Sequence, residues 1–408
     1  MKILLINKFF FMKGGSEAIF FDTAKLLREK GHEVIFFSML HPSNLDSPYS
    51  QFFLSPIDYE KANSIREKTK ASLRLLFSIE AQRKLKRLVE KEKPDLAHLH
   101  NIHHQISPSI LYTLKKFNIP TVMTIHDYKL VCPVYTMLSG NKICEKCRKR
   151  RFYSCFFYRC SKGSYLKSLL NTVEMYLHHQ ILDVYHLVDV FISPSRFLKD
   201  KLNEMGFSAE IVHLQNFIDL DSYQPYYSWE EKSVVYIGRL SQEKGLKTLF
   251  QAIEGLPLRC KIFGDGPQRI EFERLKREGK LQNISFFGHH RQPMIREVLR
   301  RSMFLVLPSE WYENNPRAVI EAFSCGKPVV ASRIGGIPEI IKDYETGLTF
   351  KPKSSIDLRE KIEYLLKNEE EIKEFGKKAR NFVEKNCNPE IHYRELIKIY
   401  ERARVKHA

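Results

Sequence analysis

The chain of 408 residues contains no apolar run near the ~20 residues that a membrane span requires. Stretches such as Ile3 to Ile6 and Phe304 to Leu307 fall far short of that length. No Gly/Ser/Pro-rich tract appears, which excludes collagen-like, low-complexity and disordered classes. No internal repeat of solenoid period is present. The amino terminus is a short strand-like run and lacks the pattern of a signal peptide, so the chain is expected to stay inside the cell. A Walker-type phosphate loop, a G-x-G-x-x-G after the first strand and a G-x-S-x-G elbow are all missing, and kinase, dehydrogenase and hydrolase readings lose support. Acidic residues are also in deficit: 48 against 66 basic ones leave a net charge of +18. That excess calls for an anionic partner, whether nucleic acid, phosphorylated metabolite or acidic membrane surface. It is uneven, with 32 basic and 20 acidic residues in positions 1 to 215.

What is present is the composition of a folded chain, 43% hydrophobic and 28% charged, at a length that predicts two domains. The opening reads as a strand (Ile3 to Ile6), a loop (Lys13-Gly14-Gly15-Ser16), a helix with Phe20, Ala24 and Leu27 on one face, and a second strand (Val34 to Phe37), a βαβ unit. Ser16 can cap the helix, leaving amide N–H groups pointing into the loop. Short apolar runs at 96–99, 121–125 and 190–193 continue it as buried parallel strands. A second series starts at Val234 and repeats at 260–263, 284–287, 304–307 and 329–331, so two doubly wound α/β domains in tandem are predicted. The expected division is 1–215, 216–388 and a closing helix in 389–408 that packs back on the first domain.

The most specific chemistry lies in the second half. Glu313 and Glu321 are separated by seven residues, in the loop after a strand and in the helix that follows, with Pro316 suited to that helix's first turn. Carboxylates accept from sugar hydroxyls and a helix start meets phosphate, so a sugar diphosphate fits; the alternative is two solvated glutamates on an amphipathic helix. Arg239 and Lys244 stand in a turn that follows a strand and can clamp a diphosphate, one as a fork and one as a point charge. Gly264 and Gly266 form a glycine turn after the next strand, where backbone can approach a ligand. All these loops, with Gly335-Gly336-Ile337-Pro338-Glu339, converge on the carboxyl ends of one sheet.

The order Gly238-Arg239-Leu240, Glu243-Lys244-Gly245, Gly264-Asp265-Gly266-Pro267, Glu313 with Glu321, Gly326-Lys327-Pro328-Val329-Val330-Ala331 and Gly335 to Glu339 resembles the retaining, nucleotide-sugar-dependent glycosyltransferases of the GT-B fold, family 4 type. Gly14-Gly15, Pro94-Asp95, His98 to Asn101, Thr124 to Asp127 and Ser193-Pro194-Ser195 match in the first half. The resemblance implies two Rossmann-like domains facing across a cleft and a hexose transferred from a nucleoside diphosphate sugar to a lipid-linked glycan or polysaccharide, as in polysaccharide or lipopolysaccharide biosynthesis. It places Arg239 and Lys244 on the diphosphate, Glu313 on the donor sugar, Glu321 on the ribose, His126 on a donor-sugar hydroxyl and Arg291 beside the base. Gly14, Gly15, Gly238, Gly264, Gly266, Asn314, Asn315 and Arg317 complete the donor side; His100, Asn101 and Asp127 lie toward the acceptor. No cofactor and no catalytic metal are implied. Many relatives carry glycine where this chain has Pro316, which offers no N–H, so amide contacts to the sugar fall to Asn315 or Arg317. An epimerase of the same fold and a basic, cysteine-rich nucleic-acid-binding protein are the rival readings; the second leaves both glutamates unexplained, and no nucleic acid is expected as partner.

An insert at about 132–167 holds five cysteines. Cys144, Cys147, Cys155 and Cys160 match structural zinc in number and local spacing; the alternative is small buried hydrophobes. His98, His100, His103 and His104 look like a metal cluster, but the resemblance puts this region near the acceptor. The basic run Arg148 to Arg151 beside Phe152, Phe156 and Phe157 suggests contact with an anionic membrane surface, which would place the protein at the cytoplasmic face of the membrane. Ile65 to Phe77, with Arg66, Lys68, Lys70 and Arg74, is a second interfacial candidate, equally readable as a solvated helix.

Overall fold

The structure, a computed structural model, describes residues 1–56, 65–290 and 292–407. Arg291, and the side chains of Ile65, Arg66, Lys68 and Lys70, lie outside the described residues. The chain divides into two compact units, 1–140 with 144–214 and 392–408, and 141–143 with 215–391.

Along the chain come β1 (Lys2–Ile6), β2 (Glu33–Phe37), β3 (Leu96–Leu99), β4 (Thr121–Thr124), β5 (Leu138–Ser139), β6 (Lys142–Ile143), β7 (Val190–Ser193) and β8 (Ile211–His213), all in unit 1 except β6. Six of them form one parallel sheet, ordered β2-β1-β3-β4-β7-β8. Their residues are almost all buried, as sheets covered on both faces require. Ile3, Leu5, Phe20, Leu27, Phe36, Val122 and Val190 share one core, and Leu396, Ile399, Tyr400 and Ala403 of the helix Pro389–His407 pack into it. That helix therefore belongs to the core of unit 1 and lies far from it only in sequence.

Unit 2 carries β9 (Ser233–Ile237), β10 (Arg259–Phe263), β11 (Ile284–Gly288), β12 (Phe304–Leu307), β13 (Val329–Ser332) and β14 (Gly347–Phe350). They form a parallel sheet ordered β11-β10-β9-β12-β13-β14. Strand order reverses between β9 and β12, the place where doubly wound sheets open a crevice at their carboxyl ends. Among the described residues no helix is long and apolar enough to cross a membrane.

Candidate active site

The loops after β9 and β12 meet at that reversal in unit 2. Lys244, at the end of a short 3-10 turn Gln242–Lys244, reaches Glu313 with Nζ 2.6 Å from Oε1. The same carboxylate oxygen accepts from Ser309 Oγ at 2.5 Å. Glu313 is only 6% exposed. Burial alone would raise its pKa, but the Lys244 ammonium and these hydrogen bonds outweigh it and hold the carboxyl below its ordinary value. Lys244 also lies 4.8 Å from the centre of the Trp311 ring. Arg239 is exposed on the same loop, leaving its guanidinium open to an anion. Two cations and one buried carboxylate thus stand within two loops, suited to a diphosphate joined to a polyol.

Glu321 lies one helix further in, on Arg317–Ser324, and is buried. Its Oε1 accepts from Arg317 Nε at 2.9 Å, Gln292 Nε2 at 3.0 Å and the Tyr223 hydroxyl at 3.4 Å. Pro316 sits at the cap with extended backbone, one residue before the first turn expected for it. The Asn315 carbonyl accepts from Asn216 Nδ2 at 3.5 Å, and Asn314 and Asn315 are half-buried beside Glu313.

The glycine turns let neighbouring loops approach one another closely. Gly264 has φ +135°, and a Cβ there would stand 1.9 Å from the Gly238 carbonyl oxygen. Gly335 has φ +62°, and its Cβ would lie 2.2 Å from the Glu313 carbonyl oxygen, which also accepts from the Gly336 N–H at 2.8 Å. Backbone of the neighbouring loop fills the space each glycine leaves. Gly266 follows the same rule against Leu240. These glycines hold Arg239 and Glu313 in place.

In unit 1 the ends of β3 and β4 gather histidines. His100 Nδ1 and His126 Nε2 are 2.9 Å apart, and the rings of His98 and His100 lie 4.5 Å apart. His98 is fixed on both sides, by the Thr124 hydroxyl and by Tyr400 from the closing helix, each at 2.8 Å. Asn101 and the loop after β1 are laced by Asn101 N–H to Asn7 Oδ1 and Lys8 N–H to the Asn101 carbonyl. Asp127 Oδ1 accepts the Lys129 N–H at 2.9 Å, and burial raises its pKa. Gly14 and Gly15 are exposed at the start of the helix Gly15–Glu29. His100 is buried against His126, so its described partner is that ring.

Burial lowers the pKa of His98 to about 3; that of His126 falls to about 4 through burial and Lys8. A His–His hydrogen bond needs one ring to donate and the other to accept, which two protonated rings cannot do. Folded pKa values below the unfolded ~6.5 leave the stability contribution whole above pH 6.5, and it is lost as pH falls toward 4, by up to ~1.4 kcal/mol per unit for each ring. Melting followed at pH 7.5 and pH 5 should show a lower Tm at pH 5; equal values would remove the histidines from the stability of unit 1.

Neither of the candidate metal sets in the sequence is assembled: among the described residues no group of three or more His, Cys, Asp or Glu side chains is arranged to hold a metal ion. That holds for Cys144, Cys147, Cys155 and Cys160, read from the sequence either as zinc ligands or as small buried hydrophobes; burial raises the Cys147 thiol, and the hydrogen bond from Cys155 favours the Cys160 thiolate. The histidines disperse in the same way, His103 to the Tyr185 hydroxyl at 2.9 Å and His104 toward Glu174. Sequence reasoning also missed the buried ion pair of Lys129 Nζ with Glu174 Oε2 at 2.6 Å, whose lysine also donates to the Pro133 carbonyl. Only Lys129's place in an apolar run hinted at it.

The comparisons with known proteins agree with this architecture. Residues 13–222 match the family described as Glycosyltransferase Family 4, and residues 228–382 match that described as Glycosyl transferases group 1. The chain is 26% identical to an uncharacterized glycosyltransferase of Methanocaldococcus jannaschii over 309 residues, 76% of each chain. In fold it is similar to the sucrose-phosphate synthase of Thermosynechococcus elongatus, with TM-score 0.73, 18% identity and 98% of both chains covered. Anabaena HepE, solved in complex with UDP-glucose, superposes with TM-score 0.67 at 16% identity over 98% of this chain and 99% of that one. With the first family spanning unit 1 from its glycine loop onward and the second spanning the loops that carry Lys244, Glu313 and Glu321, the chain belongs to Glycosyltransferase Family 4 and is a glycosyltransferase of the GT-B fold.

Proposed function

We propose that the enzyme transfers a hexose, with retention of configuration, from a nucleoside diphosphate sugar to a lipid-linked glycan or polysaccharide at the cytoplasmic face of the membrane. The observation that carries the reading is the Lys244–Glu313 pair at the strand-order reversal of unit 2, with Arg239 open beside it. Arg239 and Lys244 take the diphosphate, Glu313 a hydroxyl of the sugar and Glu321 the ribose. For unit 1 the reading assigns His126 to a sugar hydroxyl and Asn101 and Asp127 to the acceptor. HepE, which shares the fold, was solved with a donor of this class.

The leaving phosphate accepts the acceptor's proton as the glycosidic bond to the diphosphate breaks, and the two side-chain cations stabilise the charge that develops on it. No protein carboxylate is asked to act as nucleophile, and the charge on the diphosphate is carried without a divalent metal. A screen of labelled nucleoside diphosphate sugars, scoring slow hydrolysis without acceptor in buffer containing EDTA, tests this. One donor class should be hydrolysed with release of the α or β anomer it carried. Loss of turnover on chelation with recovery on adding magnesium would contradict the metal-independent mechanism.

A further inference from the structure

The helix Tyr165–Tyr176 turns an apolar stripe outward. Its inward side carries Ser168, Asn171 and Thr172, with Met175 and with Glu174, the partner of Lys129, near its end; its outward side carries Tyr165, Leu166, Leu169 and Val173, with Leu166 80% exposed. The hydroxyls and the amide are satisfied by the insert itself. Ser168 Oγ accepts the Ser161 N–H at 3.0 Å, Asn171 Nδ2 donates to Ser161 Oγ at 3.2 Å, and Thr172 Oγ1 donates to the carbonyls of Ser168 and Phe152. A surface helix ordinarily turns its apolar stripe to the core. Here that stripe faces outward, and Phe157, 66% exposed at the end of the preceding turn, extends it.

Charge selects the partner. Residues 146 to 173 contain eight Lys and Arg and no Asp or Glu. Two of the cations lie on exposed aromatic faces at the edge of the patch, Lys146 3.4 Å from the centre of the Tyr158 ring and Arg159 4.1 Å from that of Tyr165. The basic run expected to anchor the protein is not the centre of this surface. Phe152 is buried against Tyr176 and His179, Arg148 pairs with Glu204, and Arg150 donates to the His179 carbonyl.

We infer that the outward face of the helix Tyr165–Tyr176, continued by Phe157, lies in the interface of an anionic bilayer, its apolar side chains among the acyl chains and Lys146, Arg159, Lys162 and Lys167 among the headgroups. This placement rests on the lipid-linked acceptor reading above and commits to one partner. An apolar centre rimmed by one sign of charge is what an interfacial helix requires.

Sedimentation of the full chain with vesicles of phosphatidylcholine alone, or containing phosphatidylglycerol, tests it. Wild type should bind the anionic vesicles and not the neutral ones. The triple variant Phe157→Ser, Leu166→Ser, Leu169→Ser changes only outward side chains; it should keep its melting temperature and lose about tenfold or more in partitioning. Lys162→Ser with Lys167→Ser should abolish much of the salt-sensitive part, which fades as the Debye length shortens from ~10 Å at 0.1 M. Equal binding by all three proteins, or no binding by wild type, overturns the placement. So does a surface that takes single-stranded nucleic acid, or one whose variants alter self-association instead of vesicle binding. Donor hydrolysis measured on the same proteins separates the two readings: absent hydrolysis with intact vesicle binding rejects the enzymatic reading alone, and intact hydrolysis without vesicle binding rejects the membrane face alone.

Discussion

Lys244→Met should lower kcat by on the order of 10²-fold, about 3 kcal/mol, as expected for one preorganised charge at a leaving group. It should also lower stability, because Lys244 is the counter-ion of a buried carboxylate. With Glu313 6% exposed and its Oε1 2.6 Å from the ammonium, removing that ammonium leaves the charge buried with neutral donors such as Ser309 to solvate it. Losses of about 3 kcal/mol or more are usual when one partner of such a pair is removed. The two effects separate in the double variant Lys244→Met with Glu313→Gln. Neutralising the orphaned carboxylate should recover most of the melting temperature and none of the turnover. Recovery of both would mean that Lys244 serves only to neutralise Glu313.

Gly335→Ala should damage unit 2 directly at the loop that carries Glu313. An alanine at φ +62° costs ~1–2 kcal/mol in backbone strain alone. Its Cβ would also stand 2.2 Å from the Glu313 carbonyl oxygen and 2.6 Å from the Glu313 nitrogen, so the loop that carries the carboxylate must move. Gly255→Ala is the control: Gly255 has φ +74° in the same unit with nothing within 4 Å of the added methyl, so it bears the strain without the collision. Gly335→Ala should fall below Gly255→Ala in Tm and should lose turnover, whereas Gly255→Ala keeps wild-type kcat. Equal Tm and equal kcat in the two variants would mean that the Gly335 contact does not position Glu313.

The first prediction rests on features the sequence displayed openly. Parallel strands buried on both faces read as short apolar runs, and the residues that follow each run are placed by topology at one end of the sheet. Lys244 and Glu313, 69 positions apart, could therefore be assigned to one site from the strands ahead of them. The reason for the glycines was less legible, because the atoms they make room for belong to loops far away in sequence. The same holds for Tyr400 on His98, 302 positions distant, and for Lys129 on Glu174. The cysteine spacing was compatible with a metal, yet spacing fixes only local geometry, and among the described residues no metal-holding group is assembled there. Residues 152–173 failed differently. Their aromatic and basic content was visible, but which side of a helix faces inward is decided by its neighbours, and the hydroxyls around Ser161 turned the polar side in.

If unit 2 holds the donor through Lys244 and Glu313 in distinct roles, equilibrium binding separates the two. Titration of wild type, Lys244→Met, Glu313→Gln and Glu321→Gln with a nucleoside diphosphate and with its sugar conjugate compares the same ligands across all four proteins. Lys244→Met should weaken both ligands by tenfold or more. Glu321→Gln should weaken both alike through the ribose, raising KM with little change in kcat, since uniform binding acts on KM. Glu313→Gln should leave the nucleoside diphosphate nearly unchanged and remove the extra affinity the sugar contributes. Wild-type affinity for both ligands in all three variants would contradict the assignment of the donor to this site.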